Sequence, residues 1–165
     1  MPNPLGSIEN SRSPAQVAHM ENTVGKGVCP FCEINPTINE IICESTHWNV
    51  WHNPFPYKRR QRHLVLAAKK HIVDVRGMIP WMWIELGELL TWAQSEFNIP
   101  GGALVMRFGD LAHNGGTLRH LHAHIDVPDG TGPAFAVFHK CIPGEDTDMA
   151  AQNANILQAF KPPRE

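Results

Sequence analysis

Residues 120–128 read His-Leu-His-Ala-His-Ile-Asp-Val-Pro, three histidines alternating with apolar residues. Alternation with period two is the pattern of a β-strand with one buried face. On such a strand His120, His122 and His124 share one face, their Cα atoms about 6–7 Å apart, and Leu121, Ala123 and Ile125 point into a core. Burying three imidazoles without partners is costly, so the pattern fits solvation, metal binding or catalysis. A second local signal is Cys29-Pro-Phe-Cys32. A Cys-x-x-Cys pair has the spacing of half a zinc site or of a redox pair. No thioredoxin-like βαβ unit surrounds it, which favours metal. A third segment, His63-Leu-Val-Leu-Ala-Ala-Lys-Lys-His71, places an apolar strand between two histidines.

These three motifs, in this order over about residues 28–140, resemble the histidine triad (HIT) family of nucleotide hydrolases and transferases. One departure is Asp126, where that family carries an apolar residue, a change expected to alter the surroundings of His124. The resemblance implies an α+β domain: a curved antiparallel sheet of about five strands with one long helix, paired as a homodimer. It implies a structural zinc held by Cys29, Cys32, His71 and His120, a closed Cys₂His₂ set. It makes His122 the nucleophile toward the α-phosphorus of a nucleotide, with His124 and His63 as donors to the phosphate oxygens. Attack requires a neutral ring with its proton held on Nδ1 by an acceptor such as a backbone carbonyl. The product is a covalent nucleotidyl-histidine.

Gly115-Gly116-Thr117 leads into the triad. The resemblance gives Thr117 a hydroxyl role near the phosphate and leaving group. Glycines there let backbone N–H groups approach an anion, and a plain hairpin turn accounts for them equally well. Asn53, before Pro54-Phe-Pro56, sits where the family holds the ribose hydroxyls; a turn residue is the other reading. Within the resemblance the favoured substrates are nucleoside phosphoramidates or related nucleoside monophosphate derivatives. Dinucleoside polyphosphate hydrolysis or phosphorolysis, and nucleotide binding without catalysis, are the alternatives. A more distant alternative is a cupin-like metal site, since Gly116, His122, His124 and Asp129 loosely fit its first motif. That reading leaves Cys29–Cys32 and His63–His71 unexplained.

Around these motifs, 165 residues with 42% hydrophobic and 18% charged content bound a single globular domain. A net charge of −2 gives no electrostatic basis for binding DNA or RNA polymers; the resemblance implies a purine nucleotide or nucleotide conjugate as the partner. The one basic cluster, Lys58-Arg-Arg-Gln-Arg62, is either a solvated loop or a rim attracting phosphates. No apolar stretch approaches membrane-spanning length, and the first residues lack the pattern of a signal peptide. Four cysteines, two in the Cys-x-x-Cys pair, fit a reducing, cytoplasmic setting.

Residues 1–23, rich in Pro, Ser and Asn, read as a mobile arm with a helical turn near 15–20. The domain is expected over 24–145 and a tail, helical in part, over 146–165. Strands are expected at 48–51, 63–67, 103–108 and 134–138. Pro80 opens the best helix, Trp81 to Phe97. Its wide apolar stripe, including Trp81, Ile84, Leu86, Leu89, Trp92 and Ala93, suits either a broad core contact or a dimer seam.

Overall fold

The computed structural model describes residues 3–132 and 134. Its strands are β1 (Cys43–Glu44), β2 (Trp48–His52), β3 (Arg60–Ala68), β4 (Ala103–Arg107) and β5 (His122–Pro128). Its helices are α1 (Pro14–Asn22), α2 (Pro80–Glu96) and the single turn α3 (Leu111–Asn114). The strands form one antiparallel sheet in the order β1-β2-β3-β5-β4. The fold is α+β, a five-stranded antiparallel sheet with one long helix, as the motifs imply. Apart from residue 134, the strand expected at 134–138 and the tail lie outside the described residues; the fifth strand is β1, too short to show a period of its own.

Alternation along the central strands separates two chemistries. Leu64, Leu66 and Ala68 of β3, Ala123, Ile125 and Val127 of β5, and Trp48 and Val50 of β2 are buried together. Against them packs a stripe of α2: Met82, Leu86, Leu89 and Ala93. That spacing of four, three and four residues follows one helix face. Burying each of the leucine, isoleucine, valine and methionine side chains contributes about 1.5–3 kcal/mol before chain entropy is counted. Trp48 adds a direct tie, its indole N–H donating to Met82 O at 3.0 Å. The core contact takes Leu86, Leu89, Ala93 and, partly buried, Trp92 of the expected stripe, and leaves Trp81 and Ile84, with Trp83, exposed at 64%, 49% and 50%.

The opposite sheet face carries the histidines. The register sets Ala67 across from His122, Val65 across from His124 and His63 across from Asp126. On the other side β4 sets Arg107 across from His122 and Val105 across from His124. Directly paired residues share a face, so Arg107, His122, His124 and His63 project from the same side.

The N-terminal segment carries the helical turn expected near 15–20, as α1. Its described part folds onto this histidine-bearing side. Ser13 caps α1 by accepting from Gln16 N–H at 3.1 Å, with Pro14 in the first turn. Met20 and Val24 are buried against Leu118. An isolated antiparallel bridge joins Gly6 to Leu118, and Ser7 N–H donates to Thr117 O at 2.9 Å. Gly6 is required there: a Cβ at that position would overlap the Thr117 carbonyl oxygen. No described helix is long and apolar enough to cross a membrane.

Candidate functional site

The triad does not lie on one strand. β5 begins at His122, and His120 precedes it in a bend. Leu121 is drawn into the loop after β3: its N–H donates to Ile72 O at 2.6 Å and its carbonyl accepts from Ala68 N–H at 3.1 Å. His120 is thereby turned toward the Cys-x-x-Cys knuckle, while His122 and His124 follow the strand alternation into a cleft.

At the knuckle, Cys29 Sγ lies 3.3 Å from His120 Nδ1. Cys32 Sγ lies 3.5 Å from the same nitrogen and 3.2 Å from His71 Nδ1. Ligand atoms of all four residues fall within 4.8 Å of one another. Four donors around a tetrahedral zinc, at ordinary bond lengths, sit with S···N edges of about 3.5 Å. Donor type and spacing therefore fit one small, thiophilic cation. The ring of His120 is set for this. Its Nε2 is 2.6 Å from Ala68 O, and a carbonyl only accepts, so Nε2 carries the proton and Nδ1 offers a lone pair. Cys29 and His120 are buried, whereas Cys32 and His71 are exposed, so one edge of the cluster faces solvent. Without a cation, burial and then the neighbouring Cys29 push the Cys32 thiol up to about 11. Among the described residues no other group of three or more metal-ligating side chains converges. The cupin-like set is not assembled: Asp129 lies on an exposed turn, its carboxylate accepting from Thr131.

In the cleft, His122 has the opposite arrangement. Its Nδ1 is 2.6 Å from the carbonyl oxygen of His120, so Nδ1 carries the proton and Nε2 is the free base. His63 Nε2 meets His124 Nδ1 at 3.0 Å, and Asn53 Nδ2 sits 3.2 Å from His63 Nε2. Burial, ahead of every charge effect, lowers His122 and His63 to about 4, and it lowers His124 well below the ordinary histidine value. For His122 the coulombic effects of His120, Arg107 and Arg12 add to this, in part opposed by the hydrogen bond to His120 O. All three rings are neutral at pH 7.

The cleft has about 670 Å³ of empty volume, part of it open to solvent. Of the expected site residues it gathers His122, His124, His63, Thr117, Asn53 and Gly116 along its walls. Gly115 is not part of the lining. The backbone donors expected from this turn are already used: Gly115 N–H closes α3 on Leu111 O, and Gly116 N–H donates to Asn114 Oδ1 at 2.7 Å. The two glycines instead turn carbonyls outward. Gly116 O accepts from Asn10, and Gly115 O accepts from both Arg12 and Arg107. Asn53 also spends its carbonyl oxygen locally, on Phe55 N–H at 2.9 Å.

Several wall residues escape sequence reading. Arg12, Gln16 and His19 come from the N-terminal segment, Tyr57 from the loop before β3, and Arg107 from β4. Tyr57 stacks on His63, with ring centroids 5.4 Å apart and planes 11° off parallel. The Ser13-Pro14-x-Gln16 start signal would have announced α1; nothing local marks Arg107. The basic cluster before His63 is neither a simple solvated loop nor the cleft's rim. Arg60 is buried in an ion pair with Asp126, and the Arg62 guanidinium lies over Phe97, 3.9 Å from the ring centroid. Asp126 faces His63 in the sheet register, so its effect falls there more than on His124: it raises the affinity of that ring for a proton, against the larger effect of burial.

No protein-family model matches this chain, and no curated protein matches it. Solved structures do. A HIT family protein from Bacillus anthracis is 22% identical, with a TM-score of 0.50 over 79% of this chain and 96% of that one. A hypothetical protein from Leishmania major is 18% identical, with a TM-score of 0.50 over 85% and 96%. At these identities the likeness is one of fold: the chain has the HIT architecture, with a Cys₂His₂-type cluster on it.

Proposed function

We propose that this protein is a histidine triad hydrolase or nucleotidyltransferase in which His122 Nε2 attacks the α-phosphorus of a nucleoside phosphate derivative. The observation that carries the reading is the His122 Nδ1–H bond to His120 O, which leaves Nε2 unprotonated in a cleft beside the neutral imidazoles of His63 and His124. The N–P bond forms as the bond from phosphorus to the leaving group breaks. Water or another acceptor then cleaves the nucleotidyl-histidine. His124 and His63 bind the phosphate oxygens as charge grows on them, and the Thr117 hydroxyl stands near the leaving group. Asn53 reaches the ribose through its amide N–H₂.

Zinc is the cation proposed for Cys29, Cys32, His71 and His120. Bound there it supplies structural cross-linking and no reaction chemistry, since all four positions are filled by protein. The residues themselves tie the N-terminal knuckle to the loop that delivers His122. The reading also includes a second copy of the chain beside the first, on the edge strand β4 or the exposed Trp81, Trp83 and Ile84, and a cytoplasmic setting that keeps the thiols reduced.

The favoured substrates are phosphoramidates of purine nucleosides. A second reading, leaving groups that carry phosphate, is favoured by the two guanidinium groups in the cleft. The test is acid-free quench of a reaction with α-³²P-labelled substrate, followed by mapping of the label. A base-stable, acid-labile adduct on His122 is expected. Label on a serine or aspartate, or turnover without any trapped adduct, overturns nucleophilic catalysis by this residue.

A further inference from the structure

We propose that Asn39 is a specificity-determining residue of the cleft: its side-chain amide pairs with the edge of a 6-aminopurine, so that adenine nucleosides are the preferred class. This rests on the reading of the cleft as a nucleotide site and adds a residue that none of the sequence motifs contains.

Asn39 lies between the Cys-x-x-Cys knuckle and β1, lines the cleft, and is only 3% exposed. Its backbone is held by a turn built on Asn35. The Asn35 carbonyl accepts from Ile38 N–H at 3.0 Å and from Asn39 N–H at 2.8 Å, and Asn35 Oδ1 accepts from Thr37 N–H at 3.0 Å. The Asn39 side-chain amide, in contrast, has no hydrogen-bond partner among the described residues. A primary amide carries two donors and an acceptor with two lone pairs. Leaving such a group unpaired away from bulk water is costly. In a cleft wall it is the arrangement of a group that a ligand satisfies.

The cleft also offers flat apolar surface. Phe31 stands edge-on to Trp51 and to His122, at centroid distances of 5.0 and 5.1 Å. Trp51 belongs to β2, two strands from β5 and thus about 9–10 Å across the sheet. Asn39 keeps to the β2 side, since only three residues separate it from Ile42, whose N–H donates to Val50 O of β2. His19 of α1 meets Phe55 with ring centroids 5.4 Å apart, and Phe55 N–H is held by Asn53, the residue proposed to reach the ribose. Burial lowers His19 below the ordinary histidine value, so its ring is neutral at pH 7. The two arginines of the lining, Arg12 and Arg107, both donate to Gly115 O, and Arg107 belongs to β4, on the far side of β5 from β2. A base on the β2 side therefore meets rings and one neutral amide. Adenine suits that amide, because its 6-amino donor lies beside a ring-nitrogen acceptor. Guanine shows two acceptors, N7 and O6, on the matching edge, a pattern suited to a cation.

The experiment is calorimetric titration of the full chain with AMP, GMP and purine riboside 5′-monophosphate, which differs from AMP only in lacking the 6-amino group. The parent is expected to bind AMP about tenfold or more tightly than either of the others, because the analogues leave the amide unpaired or mismatched. In Asn39→Leu the preference for AMP over purine riboside monophosphate should collapse toward one. In His19→Ala all three ligands should weaken by a similar factor with the preference kept, since stacking does not read the edge. A parent that binds the three alike, binds GMP best or binds none overturns the proposal. So does an Asn39→Leu protein with the parent's preference, or a His19→Ala protein that loses it. If Asn39→Leu does not fold, as judged by circular dichroism, Asn39→Ala decides in its place by the same ratio. A nucleotidyl-His122 adduct still trapped while AMP and purine riboside monophosphate bind alike separates failure here from failure of the catalytic reading.

Discussion

His120 and His122 are two residues apart and both buried, yet their rings have opposite tautomers. His120 gives its Nε2 proton to Ala68 O and turns Nδ1 to two thiols. His122 gives its Nδ1 proton to His120 O and turns Nε2 to the cleft. One ring is suited to holding a cation, the other to attacking phosphorus. The residue type does not decide between these uses; a single backbone carbonyl placed against one nitrogen does. The two regions are also joined, because the carbonyl that sets His122 belongs to His120. A change that moves His120 therefore reaches the proposed nucleophile, whereas removal of the His122 ring leaves the cluster's four donors untouched.

That asymmetry can be broken from either end. The largest effect is expected of His122→Ala, with turnover reduced at least about a thousandfold, as for loss of a covalent nucleophile. Its metal content by elemental analysis should equal the parent's, about one per chain. Near-normal turnover would remove His122 from its role, and imidazole rescue of His122→Gly would sharpen it. Cys32→Ser comes next. Loss of a thiolate should empty the cluster and lower the melting temperature by on the order of 10 °C, because metal binding free energy is also folding free energy. Activity should fall with it, through His120. A parent protein free of metal and of full stability would dissolve the structural half of the comparison.

A smaller effect separates the regions by pH. His63, in the cleft, has a folded pKa lowered to about 4, first by burial. The unfolded chain takes up that proton near about 6.5. Between the two values the unfolded state binds more protons, so stability rises with pH. Its contribution is complete above about 6.5 and is lost as pH falls toward 4. Urea midpoints measured from pH 7 to 4 should decline, and His63→Gln should flatten the decline. An unchanged slope would mean that His63 charges freely in the folded protein.

Much of this was legible in the chain because chemistry-bearing residues repeat at short, local spacings. Cys29–Cys32, His63, His71 and the triad announce themselves, and Pro80 announces α2. The two uses of the triad follow from where β5 begins, which is fixed by the pairing of Leu121 with the loop after β3 and not by alternation. The cationic wall is similarly non-local. Arg107 matters because β4 pairs it with His122, and Arg12 because Gly6 lets a distant segment approach Thr117. The obvious basic cluster was a poor guide, since Arg60 is engaged by Asp126 in the interior. Charge density along a sequence does not indicate which charges face a ligand.

The division of labour between neighbouring histidines is tested most directly by long-range ¹H–¹⁵N correlation of the imidazole nitrogens in the metal-loaded protein at pH 7. His122 should show its proton on Nδ1 and His120 on Nε2, with His120 Nδ1 shifted by a bound metal. A His122 protonated on Nε2, or on both nitrogens, would contradict the account, since no lone pair would then face the cleft.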